Sequence, residues 1–152
     1  METQPVVIEK ILNASIQKVW EALTVKEKMK EWYFDLATFK PEVGFEFQFY
    51  GGTDEKKYLH ICRITQVIPQ KILSYTWSYE NVPVETLVTF ELFEEAGNRT
   101  KIRLTHLGIE NFPKENPDFA KNNFVEGWTY FINTSLKDYV EKTQSQLSGL
   151  SQ

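Results

Sequence analysis

Lys71-Ile-Leu-Ser-Tyr-Thr-Trp-Ser-Tyr79 alternates large apolar residues with small hydroxyls. Leu73, Tyr75 and Trp77 fall on one face and Ser74, Thr76 and Ser78 on the other, the period of two of a β-strand with one face on a core. The hydroxyl face is expected to be wet. The same period extends outward in both directions. Upstream, Phe45, Phe47 and Phe49 alternate with Glu46, Gln48 and Tyr50 before Gly51-Gly52, read as a turn. Tyr58 to Val67 reads as a strand with apolar residues on both parities, Leu59 and Ile61 on one and Cys62 and Ile64 on the other, which predicts a bulge or burial on both sides. Downstream of the Pro69-Gln70 turn and the quoted strand, Thr86 to Phe93 aligns Val88, Phe90 and Leu92. Ala96-Gly97-Asn98 supplies a turn whose Gly and Asn tolerate positive φ. Thr100 to Leu107 then sends Ile102, Leu104 and His106 inward and Lys101, Arg103 and Thr105 outward.

Helices flank this block of strands. A short strand, Val6 to Leu12, precedes Ser15, a candidate N-cap for a helix whose Ile16, Val19, Trp20 and Leu23 share a face. Thr24-Val-Lys-Glu27 has the form of a capping box and predicts a second short helix from about Val25 to Tyr33, with Met29, Trp32 and Phe34 closing on the sheet. Residues 109 to 118, with Pro113 and Pro117, read as a loop. From about Pro117 onward Trp128, Phe131, Ile132, Ser135, Leu136, Tyr139 and Val140 form one apolar stripe at helical spacing. The Ser- and Gln-rich tail from about Thr143 is expected to fray.

The 152 residues, 41% hydrophobic and 25% charged, suit one domain over 1–152. Seventeen Lys and Arg against 21 Asp and Glu give a charge of −4, with no basic run to follow a phosphate backbone, so nucleic acid is not an expected partner. No apolar run approaches the ~20 residues of a membrane span, and Met1-Glu-Thr-Gln-Pro5 has an acid where a signal peptide carries cations. A cytoplasmic protein is expected. The single cysteine, Cys62, permits no intrachain disulfide.

The order of elements is α+β: strand, two short helices, at least five consecutive antiparallel strands and a long C-terminal helix. With Ala14-Ser-Ile-Gln-Lys-Val-Trp-Glu-Ala-Leu23, Lys30-Glu-Trp-Tyr-Phe34, Val67-Ile-Pro-Gln-Lys-Ile-Leu-Ser-Tyr-Thr-Trp77, Thr105-His-Leu-Gly108 and Gly127-Trp128, the chain resembles the START-like (SRPBCC) superfamily, the Bet v 1-like and polyketide cyclase group. Within it the likeness is to the heat-shock protein 90 ATPase activator homologues. The resemblance implies a helix-grip fold, a curved sheet of about six or seven strands around the long helix, with a cavity between them. Ser15 stands where the family often has proline. The eukaryotic co-chaperones of this branch carry an additional N-terminal domain that contributes to chaperone stimulation, whereas this chain begins with the first strand of the START-like domain.

Alternation and stripe give the expected cavity lining: Phe45, Phe47, Phe49, Tyr75, Trp77, Phe90, Leu104, His106, Trp128, Phe131 and Ile132. His106 has two readings. It is a polar anchor, able to donate to a ligand carbonyl or to act as acid or base, or it is a core histidine hydrogen-bonded to backbone or a tyrosine. His60 reads as a surface imidazole, Cys62 as a buried filler, and Asp35 as an exposed loop residue or the rim of a cavity mouth. Tyr58, Tyr75, Tyr79, Tyr130 and Tyr139 carry hydroxyls able to orient a ligand. Gly127 costs a helix ~1 kcal/mol, which a close approach of backbone or ligand would explain.

Two histidines and one cysteine offer no metal-ligand spacing, and no catalytic residue or cofactor is assigned. The expectation is a binding protein for a small, largely apolar molecule. An interaction module for a chaperone or its client, and a cyclase- or hydrolase-type enzyme using His106 or a cavity tyrosine, are the alternatives.

Overall fold

The computed structural model describes residues 5–52 and 57–142. Strands β1 (Val6–Leu12), β2 (Glu46–Gly52), β3 (Lys57–Ile68), β4 (Ile72–Tyr79), β5 (Val82–Glu95) and β6 (Arg99–Leu107) form one curved antiparallel sheet in the order β1-β6-β5-β4-β3-β2. Neighbours from β2 to β6 follow one another in sequence, while β1 pairs with β6 at the far edge. Helices α1 (Ile16–Thr24) and α2 (Lys26–Trp32) therefore carry the chain from one edge to the other.

Ser15 caps α1 as its sequence suggests, accepting the Lys18 N–H at 3.2 Å, a bond of a kind worth ~1 kcal/mol. The expected capping box at Thr24 is not formed. Thr24 is the last residue of α1, and its hydroxyl donates back to the Trp20 carbonyl at 2.8 Å. Val25 is the N-cap of α2, with no side-chain cap bond. A hydroxyl still inside one helix bonds the carbonyl four residues earlier and is lost to the next helix. Trp32 ties the two together, its indole N–H donating to the Ala22 carbonyl at 2.8 Å.

The strands depart from expectation in three places. Gly51 and Gly52 continue β2, paired with Tyr58 and Lys57, instead of turning the chain; what joins β2 to β3 lies outside the described residues. Strand β5 begins at Val82, well before Thr86. Ser74 and Thr76, expected to be wet, are buried. Their hydroxyls fold onto the sheet: Ser74 donates to the Val88 carbonyl at 3.1 Å, and Thr76 Oγ1 accepts the Arg63 N–H at 2.9 Å. The predicted bulge is present, as a register shift between Ile64 and Gln66 of β3, and His60, Cys62 and Ile64 are the buried parity.

Helix α3 (Lys121–Thr129) opens the C-terminal helix, which continues as a π-helical stretch, Tyr130–Leu136, and as α-helix over 137–142. A 3₁₀ turn, Pro117–Phe119, precedes it. Trp128, Ile132, Leu136 and Val140 are buried against the sheet and Phe131 is half-buried. In unbroken α-helix, residues spaced by four overshoot a full turn by about 40° at each step; the wider i→i+5 winding takes up the excess. Four-residue spacing thus keeps one face on the sheet. Strands and helices share one hydrophobic core. The tail from 143 lies outside the described residues. Among the described residues no helix is long and apolar enough to cross a membrane.

Candidate functional site

The concave side of β2, β3 and β4 and the first turns of the C-terminal helix do not close on each other. Between them lies an open cleft of about 360 Å³. Its floor is Gly51, Tyr58, His60, Trp77 and Tyr79 from the strands, and its roof Asn123, Phe124, Gly127, Trp128 and Phe131 from the helix. Phe34 and the turn residues Asp118 and Phe119 complete it.

Strand register sets the floor. Phe49 lies opposite His60, and His60 opposite Tyr79, so three inward rings stand side by side. His60 stacks on Phe49 with centroids 4.6 Å apart and meets the Tyr79 ring at 4.7 Å; Phe34 stacks on Phe49 at 4.1 Å. Glycine is required at position 51, where a Cβ would stand 2.9 Å from His60 Cε1 and 3.1 Å from Phe34 Cε1. At Gly127 a Cβ would meet nothing within 4 Å. No close approach accounts for that glycine, which borders the cleft.

The polar groups divide into spent and available. His106 is wholly buried. Trp128 Nε1 donates to its Nδ1 at 3.0 Å, and its Nε2 lies 2.7 Å from Thr86 Oγ1, which in turn donates to the Trp77 carbonyl at 2.7 Å. Burial pushes the His106 pKa down to about 3. His60 is also buried, correcting the surface reading. Its pKa is pushed down to about 4 by burial, with hydrogen bonds to the Tyr58 and Phe49 backbone opposing. At the cleft, Tyr58 donates to Asp118 Oδ2 at 2.5 Å, and Asn123 Nδ2 donates to the Pro117 carbonyl at 2.7 Å. Trp77 Nε1 donates to the Tyr79 hydroxyl at 2.9 Å. Deeper in, the Tyr33 and Tyr75 hydroxyls bond each other at 2.7 Å, and burial raises both well above the ordinary phenol range. Burial likewise raises the Cys62 thiol, leaving it an inert filler. Among the described residues no three His, Cys, Asp or Glu side chains converge as a metal site requires.

Of the expected lining residues, Trp77, Trp128 and Phe131 border the cleft. Phe47, Phe49, Tyr75, Phe90, Leu104, His106 and Ile132 are core around it, and Phe45 is half-buried beside Phe39. Asp35 and Tyr130 are exposed. Phe34, His60, Asp118, Phe119 and Phe124 complete the cleft without having been expected there. Phe119 lies in a proline-containing turn with no periodic pattern, whereas Phe124 lies in α3 four residues before Trp128, and extending the apolar stripe back by one turn is the signal that could have marked it.

A six-stranded sheet gripping one long helix with a cleft between them defines a helix-grip domain. Residues 13–141 match the family described as "Activator of Hsp90 ATPase homolog 1-like protein", and the chain belongs to that family. It is 25% identical over 122 residues to the activator of 90 kDa heat shock protein ATPase homolog 2 of Mus musculus, an alignment covering 78% of this chain and 35% of that protein. The chain thus spans about a third of that curated relative's length. Protein MLL2253 from Mesorhizobium loti has a similar structure, with a TM-score of 0.76 and 28% identity over 92% of this chain and 98% of that one. The Aha1 dimer from Colwellia psychrerythraea shares the fold at a TM-score of 0.70 and 24% identity, over 90% of this chain and 96% of that one.

Proposed function

We propose that this protein binds a small, largely apolar or amphipathic molecule between its sheet and its C-terminal helix. The carrying observation is the cleft itself, walled by Trp77, Tyr79, Phe119, Phe124 and Trp128 and left open above Gly127. A concave, mostly aromatic site with a few polar groups is the usual form of a small-molecule site, and its volume lies at the lower end of the common range. Native mass spectrometry of protein purified from its own host tests the reading by detecting a co-purifying molecule. Gly127→Leu provides the second arm: its side chain enters open space and removes a helix-weakening glycine, so the fold persists while the cleft fills. Loss of binding of a hydrophobic fluorescent probe is the expected result. Unchanged probe binding in folded Gly127→Leu would reject the site.

A second reading is favoured by the match to an activator of the 90 kDa heat shock protein ATPase: contact with a chaperone. Steady-state ATPase assays address it directly. A cyclase- or hydrolase-type reaction would draw on the hydrogen-bonded pair Tyr58 and Asp118 at the cleft in place of His106, both of whose ring nitrogens are engaged.

A further inference from the structure

Among the described residues that border the cleft none is lysine or arginine, and Asp118 is the one side chain with a formal charge. His60 is neutral there near neutral pH, since burial pushes its pKa down to about 4. Lys114 and Lys121 border a separate hollow with Ile109 and Phe112. The hydrogen-bond donors of the cleft are mostly engaged with the protein: Tyr58 with Asp118, Asn123 with the Pro117 carbonyl, Trp77 with the Tyr79 oxygen and Trp128 with His106. A carboxylate or phosphate entering the cleft would shed water without meeting a cation, and an unpaired charge taken out of water is costly. The sign of the lining disfavours anions.

Aromatic rings surround the carboxylate. Tyr58 donates to Asp118 Oδ2 at 2.5 Å, the Tyr58 ring meets Phe119 at 5.5 Å and Tyr79 at 5.7 Å between centroids, and Phe119 and Tyr79 are 4.9 Å apart. All four residues border the cleft, so one end of it holds a half-buried carboxylate beside three rings in mutual contact. Carboxylate oxygens and the negative faces of aromatic rings are the surroundings that stabilise an organic cation partly removed from water. We propose that the cleft binds an apolar amine, its ammonium group lodged by Asp118 among Tyr58, Tyr79 and Phe119 and its hydrocarbon body against Trp77 and Trp128. This rests on the cleft being a ligand site. The two oxygens of a carboxylate accept several hydrogen bonds, so an ammonium N–H bonds Asp118 without displacing Tyr58.

Equilibrium dialysis of the full chain at neutral pH and about 0.15 M salt, where diffuse attraction to its net negative charge is screened, tests the assignment. The probes share one body: 2-naphthylmethylamine, 2-naphthylmethanol and 2-naphthoate. The amine, protonated under these conditions, is expected to bind about tenfold tighter than the alcohol, and naphthoate more weakly than either. Asp118→Asn keeps an acceptor for Tyr58 and removes the charge, and Phe119→Leu keeps an apolar side chain and removes a ring. Each should cut the advantage of the amine over the alcohol several-fold; circular dichroism establishes that each variant is folded, and either folded variant suffices. Alcohol or naphthoate binding as tightly as the amine overturns the proposal and leaves the cleft reading standing. An amine preference that survives in the folded variants overturns it too, placing cation recognition elsewhere. If no probe binds, or if Gly127→Leu leaves binding intact, the cleft reading falls and the amine assignment with it.

Discussion

Trp128 donates its indole N–H to Nδ1 of His106 at 3.0 Å, and that bond fixes the proton of a buried imidazole. An acceptor Nδ1 places the proton on Nε2, which donates to Thr86 Oγ1, leaving the Thr86 proton for the Trp77 carbonyl. Helix, β6, β5 and β4 are joined by one directional chain of hydrogen bonds.

His106→Phe should therefore lower stability. The ring is kept, but the Trp128 N–H loses its partner in a buried site, at ~1–3 kcal/mol. Urea melts should show a lower midpoint, while affinity for a hydrophobic probe in the cleft falls much less than stability does. An unchanged midpoint would show that the chain of bonds contributes nothing net.

Trp77→Ala should damage both properties. The indole borders the cleft and packs against Trp128 with centroids 5.2 Å apart. Removing a buried indole costs ~3–5 kcal/mol, a large share of a domain's net stability of ~5–15 kcal/mol. A melt close to that of the unaltered protein would mean that the surrounding rings collapse into the space.

Acid should weaken the fold early. His60 and His106 are held neutral by burial, at about 4 and about 3 against an ordinary 6.5. The unfolded chain binds these protons first, so the stabilisation is complete above pH 6.5 and is lost as pH falls through 6.5 toward the folded values. With both imidazoles titrating, the unfolding free energy falls by up to about 2.7 kcal/mol per pH unit near pH 5. Urea midpoints at pH 7, 6 and 5 check this, and His106→Phe should halve the drop. Equal midpoints at pH 7 and 5 would contradict it.

Added to the 90 kDa heat shock chaperone of its own host, this chain should leave the steady-state ATPase rate unchanged, because it matches only 35% of the mouse activator's length. A several-fold stimulation would make chaperone contact the primary reading.

The alternation in β4, β5 and β6 made the sheet legible, since a strand with one buried face displays its period directly. His60 was not legible: apolar residues on both parities of β3 hid which face was inward, and only its pairing with the inward Phe49 and Tyr79 shows it. Thr24 looked like a cap because capping depends on where the previous helix stops, which the four-residue pattern does not contain. The cleft was half legible. Trp77, Trp128 and Phe131 follow from periodic elements, whereas Phe34, Asp118 and Phe119 come from segments placed by tertiary packing. The hydroxyls of Ser74 and Thr76 were misread because a polar side chain was equated with a wet one, although short hydroxyls can bond the backbone beside them.

The π-helical winding of Tyr130–Leu136 bears on how the chain can change length. From Trp128 to Val140 an unbroken α-helix would drift about 120° out of phase; the stretch behaves as an α-helix carrying one additional residue. Excising a residue there, with Asn133 the natural choice because its buried Oδ1 lacks a partner among the described residues, leaves the sheet-facing side chains at steps of four, three and four. That is the ordinary rhythm of an α-helix. The segment that crosses the core is thus a buried place where this chain can shorten by a residue and keep its register.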